Sequence, residues 1–294
     1  MTDYKPPASP LRIALIGAGR VGTATALLLQ DAGHRIVGVA SRTPASASAA
    51  AERLGAHVFD IEAGLPHANV ILVAVPDREI RTVAERIDAG GSNGAVACHF
   101  SGALGLDVLA PIANGQGVCA LHPVQACPDV DLAIKRLPGS AWGITCSPGL
   151  EAWAHELVEA DLRGRPVAVS EEDRPLWHAA TVTTANGITA LLAGAEAMLR
   201  AIRIERPLDV LGPLASGAVQ NARDTGDAAS VLTGPAIRGD VATLRLHLEA
   251  LRQRVPDLRD AYQLAARLTI DAARRSGNLD VSTDAELENV LEGR

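Results

Sequence analysis

Short apolar runs alternate with helical stretches through the first half of the chain. Residues 11–16 form one such run, which stops at Gly17, and the helix-like stretch from Val21 to Ala32 ends at Gly33. The next run, 34–40, is short and rich in β-branched residues. Ser41-Arg42-Thr43-Pro44 then turns the chain into an Ala/Ser-rich helix that ends near Gly55. The order is β-α-β. Further strands are predicted at 70–75, 94–98 and 117–121, followed by Pro76-Asp77, His99-Phe100-Ser101-Gly102 and His122-Pro123. Strands that are apolar on both faces and alternate with helices predict a parallel sheet covered on both sides. A strand at 142–146, a helix at 149–161 and a strand at 166–169 complete the layer. This places a first domain at 11–170, behind a proline-rich, flexible leader of residues 1–10.

The second half changes character. Ser170-Glu171-Glu172-Asp173-Arg174-Pro175 sets acids ahead of a first helical turn and a proline early in it, a helix-start pattern. From Pro175 to about Ile202 the residues are largely Ala, Thr, Leu and Gly, which predicts a helix buried on most faces. Helices follow at 207–224, 240–254, 257–276 and 284–292, with Asp240 as an N-cap. The fold class is therefore α/β: a doubly wound parallel sheet followed by an all-α C-terminal domain at 171–294.

Composition narrows the partners. A net charge of −7 argues against a general nucleic-acid or anionic-membrane binder. The opening MTDYKPPASP lacks the apolar centre of a secretory signal, and no run reaches the roughly 18 apolar residues that span a bilayer. A cytoplasmic protein is expected. Cys98, Cys119, Cys127 and Cys146 form no CxxC pair and mostly fall on or beside apolar strands, where cysteine packs as a small hydrophobe, so no metal site is expected.

Gly17-Ala18-Gly19-Arg20-Val21-Gly22 matches G-x-G-x-x-G between a strand and a helix, the context in which that spacing binds a dinucleotide. Gly17 makes the tight turn, Gly19 admits a pyrophosphate, Gly22 lets the helix pack on the sheet, and the helix N-terminus attracts the phosphates. This is a Rossmann unit. An NAD site has an acid about 20 residues further on. Here Ser41-Arg42-Thr43 stands in that place, with no carboxylate to repel a 2′-phosphate and a guanidinium to bind it. NADP(H) is the expected cofactor, with Val75 and Pro76 at the next strand end also in contact. The competing reading makes Arg42 a solvated loop charge and leaves the cofactor open.

GAGRVG, VAVPD at 73–77, HFSGALG at 99–105, LHPVQ at 121–125, WHAATVTTAN at 177–186 and LTGPAIRGD at 232–240 form an ordered set. Together they resemble the Rossmann-like proteins with an attached helical domain of unassigned function. These lie within the 6-phosphogluconate dehydrogenase-like superfamily, beside ketopantoate reductases, pyrroline-carboxylate reductases and prephenate dehydrogenases. The resemblance implies a nicotinamide cofactor, a helical domain that closes the site, and a homodimer through that domain. Many members carry a lysine on the first long helix of the second domain, one turn before an asparagine. Asn186 matches the asparagine, but the only lysines are Lys5 and Lys135, so the lysine mechanism does not transfer. His178, about 12 Å earlier along the helix, is the ionisable alternative.

Ligands of open α/β sheets bind beyond the carboxyl ends of the strands, where Asp77, Ser101 and His122 are expected to converge. His122 resembles the His-Pro histidine of prephenate dehydrogenases, and Ser101 a serine near the nicotinamide there. A histidine can donate a proton to a developing alkoxide near neutral pH. Each candidate also has a structural reading: His122 bonded to backbone, Ser101 as a turn or cap, His178 as helix packing beside Trp177, and His99 likewise. Arg238 can bind a substrate carboxylate bidentately. The expected activity is an NADP(H)-dependent oxidoreductase acting on a small carboxylate-bearing carbonyl or imine compound, such as a ketopantoate-like 2-oxo acid. Catalysis falls to His122, His178, Ser101 and Asn186. The alternatives are a prephenate-type dehydrogenase and a non-catalytic NADP(H) sensor or structural protein.

Overall fold

The computed structural model describes residues 4, 6–91, 94–113, 115–277 and 281–292, with backbone alone for 281–284. The chain divides into two compact units, Met1–Val182 and Thr183–Arg294.

The first unit opens with β1 (Arg12–Ile16), α1 (Arg20–Asp31), β2 (Arg35–Ala40) and α2 (Pro44–Leu54). Thr43 caps α2 by accepting from the Ser46 N–H at 3.3 Å, Pro44 presets the first turn, and Gly55 ends the helix at φ +58°. Next come β3 (His57–Val58), β4 (Val70–Val73), α3 (Ile80–Ala89), β5 (Val96–His99), α4 (Ala110–Ala113), β6 (Val118–Pro123) and α5 (Val130–Arg136). β7 (Ala141–Cys146), α6 (Glu151–Glu156) and β8 (Arg165–Ala168) complete the sheet. Tyr4, ahead of β1, donates its hydroxyl to the Ala113 carbonyl at 2.9 Å.

Strand order is β3-β2-β1-β4-β5-β6-β7-β8. The chain runs outward one way from β1 to β2 and β3, then restarts at β4 on the other side of β1. The crevice beyond the carboxyl ends of β1 and β4 is thus a topological switch point. Alternate residues supply the two faces. Leu15, Val70 and Leu72 pack with Leu28 of α1, Leu54 of α2 and Trp153 of α6. Ile16, Ile71 and Val73 pack with Ile80, Ala84 and Ile87 of α3. A sheet with helices on both faces is the predicted architecture.

One part of that expectation is corrected. β1 to β6 pair in parallel and so do β7 and β8, but β6 and β7 are antiparallel, with His122 opposite Gly143. An antiparallel return needs no helix crossing the sheet. The connection, residues 124–140, instead returns to the same end of β6, the Val124 N–H donating to the Ala141 carbonyl at 2.8 Å, and its α5 packs beside α1. An apolar run fully buried on both faces carries no mark of direction, so the pattern alone gave the strand but not its sense. The two-residue β3 and the seven-residue α5 are too short for a periodic signal.

α7 (Arg174–Ala201) runs from the first unit into the second, which continues with α8 (Pro207–Thr225), α9 (Val241–Arg254), α10 (Arg259–Arg275) and α11 (Val281–Glu292). Asp240 caps α9, accepting from the Thr243 N–H at 3.0 Å. Leu244, Leu248, Ile270, Leu287 and Leu291 form the core of this unit. The expectation that α7 is buried on most faces fails within the chain: Arg174 is its one buried residue, and Leu191 is 48% exposed. α8 likewise leaves Leu214 70% exposed. Low polarity predicts burial without saying what provides it. No described helix is long and apolar enough to cross a membrane.

Candidate functional site

A cleft of about 630 Å³ opens over the carboxyl ends of β1, β2 and β4. Gly17, Ala18 and Gly19 line one wall, Ser41, Arg42 and Thr43 another, and Val75 and Pro76 a third. Gly17 sits at φ +100°, where a side chain would also overlap the Ala74 carbonyl. A Cβ on Gly22 would overlap that of Ala74, so this glycine sets the approach of α1 to the strand end. Over Gly19 the space is open: a Cβ at that position would come no closer than 3.8 Å to any neighbour, the Ala74 carbonyl oxygen. α1 begins there with no side-chain cap and no acid in its first turn, leaving N–H groups and the positive end of the helix dipole for an anion. Arg42 is exposed and makes no ion pair among the described residues. These features fit a dinucleotide with a phosphate on its adenosine ribose.

Three of the predicted contacts do other work. Thr43 commits its hydroxyl to Ser46, 2.7 Å from that residue's Oγ, and caps α2. Arg20 points away to the Pro128 carbonyl at 3.2 Å. Val21, like Gly22, does not line the cleft.

Beside the cleft, a polar cluster forms where β4, β5 and β6 end against the first turns of α7. Asp77, next to Pro76, accepts from the Ser101 hydroxyl at 2.7 Å, and Ser101 Oγ accepts from the Leu104 N–H at 3.1 Å. Arg174 is wholly buried. It donates to the Leu104 carbonyl at 2.6 Å, to Thr145 Oγ1 at 2.9 Å and to the Ser101 carbonyl. Among the described residues no carboxylate lies within ion-pair distance of it, and burial pulls its pKa down to about 10. His99 is held at both nitrogens, accepting from the Ser101 N–H at 3.2 Å and facing the Gly105 carbonyl at 3.1 Å. Burial, then the Arg174 charge, lower its pKa to about 4. His99 is thereby a brace for the Ser101 loop.

His122 differs. Trp177 Nε1–H donates to His122 Nδ1 at 3.0 Å, so the neutral ring carries its proton on Nε2. Burial lowers its pKa to about 4, with the charges of His178 and Arg174 adding to the effect. The His178 ring stands edge-on to it, centroids 5.3 Å apart, and the buried His178 Nδ1 has no hydrogen-bond partner among the described residues. Both rings reach over Gly102, where a Cβ would overlap His178 Nδ1 and lie 2.8 Å from His122 Nε2. The pair exists because residue 102 has no side chain.

The structure thus brings Ser101, His122 and His178 into one cluster within the first unit. Asn186 and Arg238 belong to the second unit and are both exposed there. Trp177, Arg174 and Asp77 as bonding partners escaped the sequence reading. Trp177 stood next to a candidate, but an arginine among acids at a helix start reads as a solvated charge.

Residues 2–123 match a Rossmann-like domain, and residues 140–269 match a family described as a domain of unknown function, DUF2520. The chain thus matches a Rossmann-like domain followed by a DUF2520 domain. That pairing is the one the ordered motifs resembled. A Bacteroides fragilis protein assigned as an NADP oxidoreductase superposes with a TM-score of 0.75 at 25% identity, covering 89% of this chain and 98% of that one. A protein from Thermotoga maritima gives 0.69 at 21%, over 90% and 99%. A reductive aminase from Aspergillus terreus, in complex with NADPH and ethyl levulinate, gives 0.64 at 19%, over 94% and 98%. No curated protein sequence matches the chain.

Proposed function

We propose that this protein is an NADP(H)-dependent oxidoreductase that reduces a small, carboxylate-bearing carbonyl or imine compound. The observation that carries the reading is the adjacency of two features in one unit. A phosphate-ready cleft over Gly17, Gly19 and Arg42 is lined by Pro76, and the next residue, Asp77, bonds to Ser101 at the edge of the cluster that holds His122 and His178. The Bacteroides fragilis relative, at 25% identity, supports the cofactor and the reaction class.

Bound NADPH supplies hydride. The chain's own part is to position the acceptor and manage one proton. His122, fixed as an Nε2–H donor by Trp177, holds the substrate heteroatom, and His178 delivers the proton that neutralises it. His122 is thus a hydrogen-bond donor, in place of the neutral-pH acid expected from its residue type, because burial favours its uncharged form. Ser101, tied to Asp77, shapes the loop between cofactor and histidines. Arg238 and Asn186 remain as proposed substrate contacts from the helical unit. The exposed apolar residues of α7 and α8 support a homodimer through that unit, and the free cysteines suit the reducing cytoplasm.

The test is NADPH consumption with a panel of 2-oxo acids and cyclic imino acids, alongside NADPH binding measured by fluorescence. We expect turnover with at least one panel member, and His178→Asn to lower kcat by about 10²-fold or more, on the order of a lost general acid, with NADPH affinity retained. Tight NADPH binding without turnover of any member favours the sensor reading instead.

A further inference from the structure

The cluster around His122 carries a charge pattern that distinguishes between the two acceptor classes. A carbonyl and an imine make opposite demands on a reductase. Carbonyl reduction builds negative charge on an oxygen that accepts hydrogen bonds throughout. Imine reduction runs through the protonated iminium, whose nitrogen has a proton, no free lone pair and a positive charge that disappears as hydride arrives. The first needs a donor and positive potential, and the second needs an acceptor or an anion in the ground state.

Trp177 settles the polarity of His122. Its indole N–H can only donate, and it occupies Nδ1 at 3.0 Å. The ring facing the site therefore presents N–H and nothing that accepts. The indole is itself fixed, its ring lying across Gly143, where a Cβ would stand 2.7 Å from Nε1. The surrounding charges agree. From α7 come His178 and the fully buried Arg174. From β5 comes His99, held neutral between the Ser101 N–H and the Gly105 carbonyl. The two acids on neighbouring segments, Asp77 and Glu171, partly offset the Arg174 charge but bond elsewhere, Asp77 to the Ser101 hydroxyl and Glu171 to the Leu106 N–H at 2.7 Å. Among the described residues no carboxylate bonds to His122, His178 or Arg174.

We infer that this site selects carbonyl oxygens, as in a 2-oxo acid, and rejects iminium ions, through the Trp177-locked donor of His122 set beside the buried cation of Arg174, which has no carboxylate within ion-pair distance among the described residues. The inference rests on the reductase reading and narrows it. In the step, the carbonyl carbon gains hydride supplied by NADPH, which leaves as NADP⁺. The C=O π pair moves onto oxygen, which His122 Nε2–H holds. That oxygen then takes a proton handed on from solvent through His178, giving the 2-hydroxy acid.

Trp177 is a positioning residue, acting through His122. The experiment compares kcat/KM with NADPH for small 2-oxo acids and for cyclic iminium acids of matched size, in the full-length protein and in Trp177→Phe. Histidine ring ¹⁵N spectra are recorded in parallel. For the wild type we expect a preference for the oxo acid of about a hundredfold, the scale of a buried N–H donor left facing a group with no free lone pair. The spectra should show His122 as the fixed Nε2–H tautomer from mildly acidic to neutral pH. Trp177→Phe should free Nδ1 to carry the ring proton, let Nε2 face the site as an acceptor and cut the preference by tenfold or more. His122→Gln, which keeps an N–H donor, should retain the preference and guards against a packing artefact of the tryptophan variant. Equal or better turnover of the iminium acid overturns the inference and leaves the reductase reading intact. A wild-type His122 protonated on Nδ1 overturns it as well. Bound NADPH with neither class reduced overturns both.

Discussion

Arg42 is the residue on which the cofactor reading turns most directly. It stands at the carboxyl end of β2, exposed and without an ion pair among the described residues, on the wall of the dinucleotide cleft. Removing the guanidinium removes a charge-assisted contact to a 2′-phosphate and nothing that NADH would use. Arg42→Ala should therefore weaken NADPH binding by about 10-fold to 100-fold, the scale of a hydrogen bond to a charged group, and leave NADH nearly unchanged. Equal losses for both, measured by fluorescence titration, would remove Arg42 from cofactor choice. At this scale much was legible. The glycine fingerprint, Arg42, His122 and His178 could all be named because each residue type has few reasons to stand where it does. Arg174 could not. Its value comes from total burial, which depends on Leu104, Ser101 and Thr145 arriving from distant places in the chain.

Among the elements, the strand ends do the organising. β5 and β6 each carry at their carboxyl end a histidine that burial holds uncharged, His99 and His122, both with pKa lowered to about 4. The unfolded chain takes up those protons near the ordinary histidine pKa of about 6.5. Between about 6.5 and about 4 the unfolded state binds more protons, so stability is full above that window and falls as the pH drops through it. At pH 5 each histidine should cost the first unit about 2 kcal/mol relative to neutral pH. Urea unfolding across this range checks the slope, and His99→Asn should flatten it. A stability independent of pH through the window would mean that the histidines charge without penalty. Element boundaries followed from local chemistry where caps were strong, as at Thr43 and Asp240. The antiparallel turn from β6 to β7 did not, because strand direction is set by which edge is free to pair.

For the whole molecule, the dominant feature is apolar surface that the chain does not cover. Leu191 of α7 and Leu214 of α8 are large apolar side chains left open to solvent. If a second copy covers them, light scattering should give a mass twice 30.5 kDa, and Leu191→Glu combined with Leu214→Glu should yield a monomer with NADPH affinity retained. A monomeric wild type would end the dimer reading. By itself the sequence determined the two-part architecture, the dinucleotide fingerprint and a short roster of chemical side chains, since hydrophobic period, glycine spacing and capping act over a few residues. The tertiary structure alone decided which of those side chains meet. It made His99 a brace and His122 a one-sided donor, seated a buried cation beside them, and cleared the space between two histidines over Gly102. Those outcomes depend on contacts between residues far apart in the chain, and on the low-dielectric setting that burial creates, neither of which local pattern encodes.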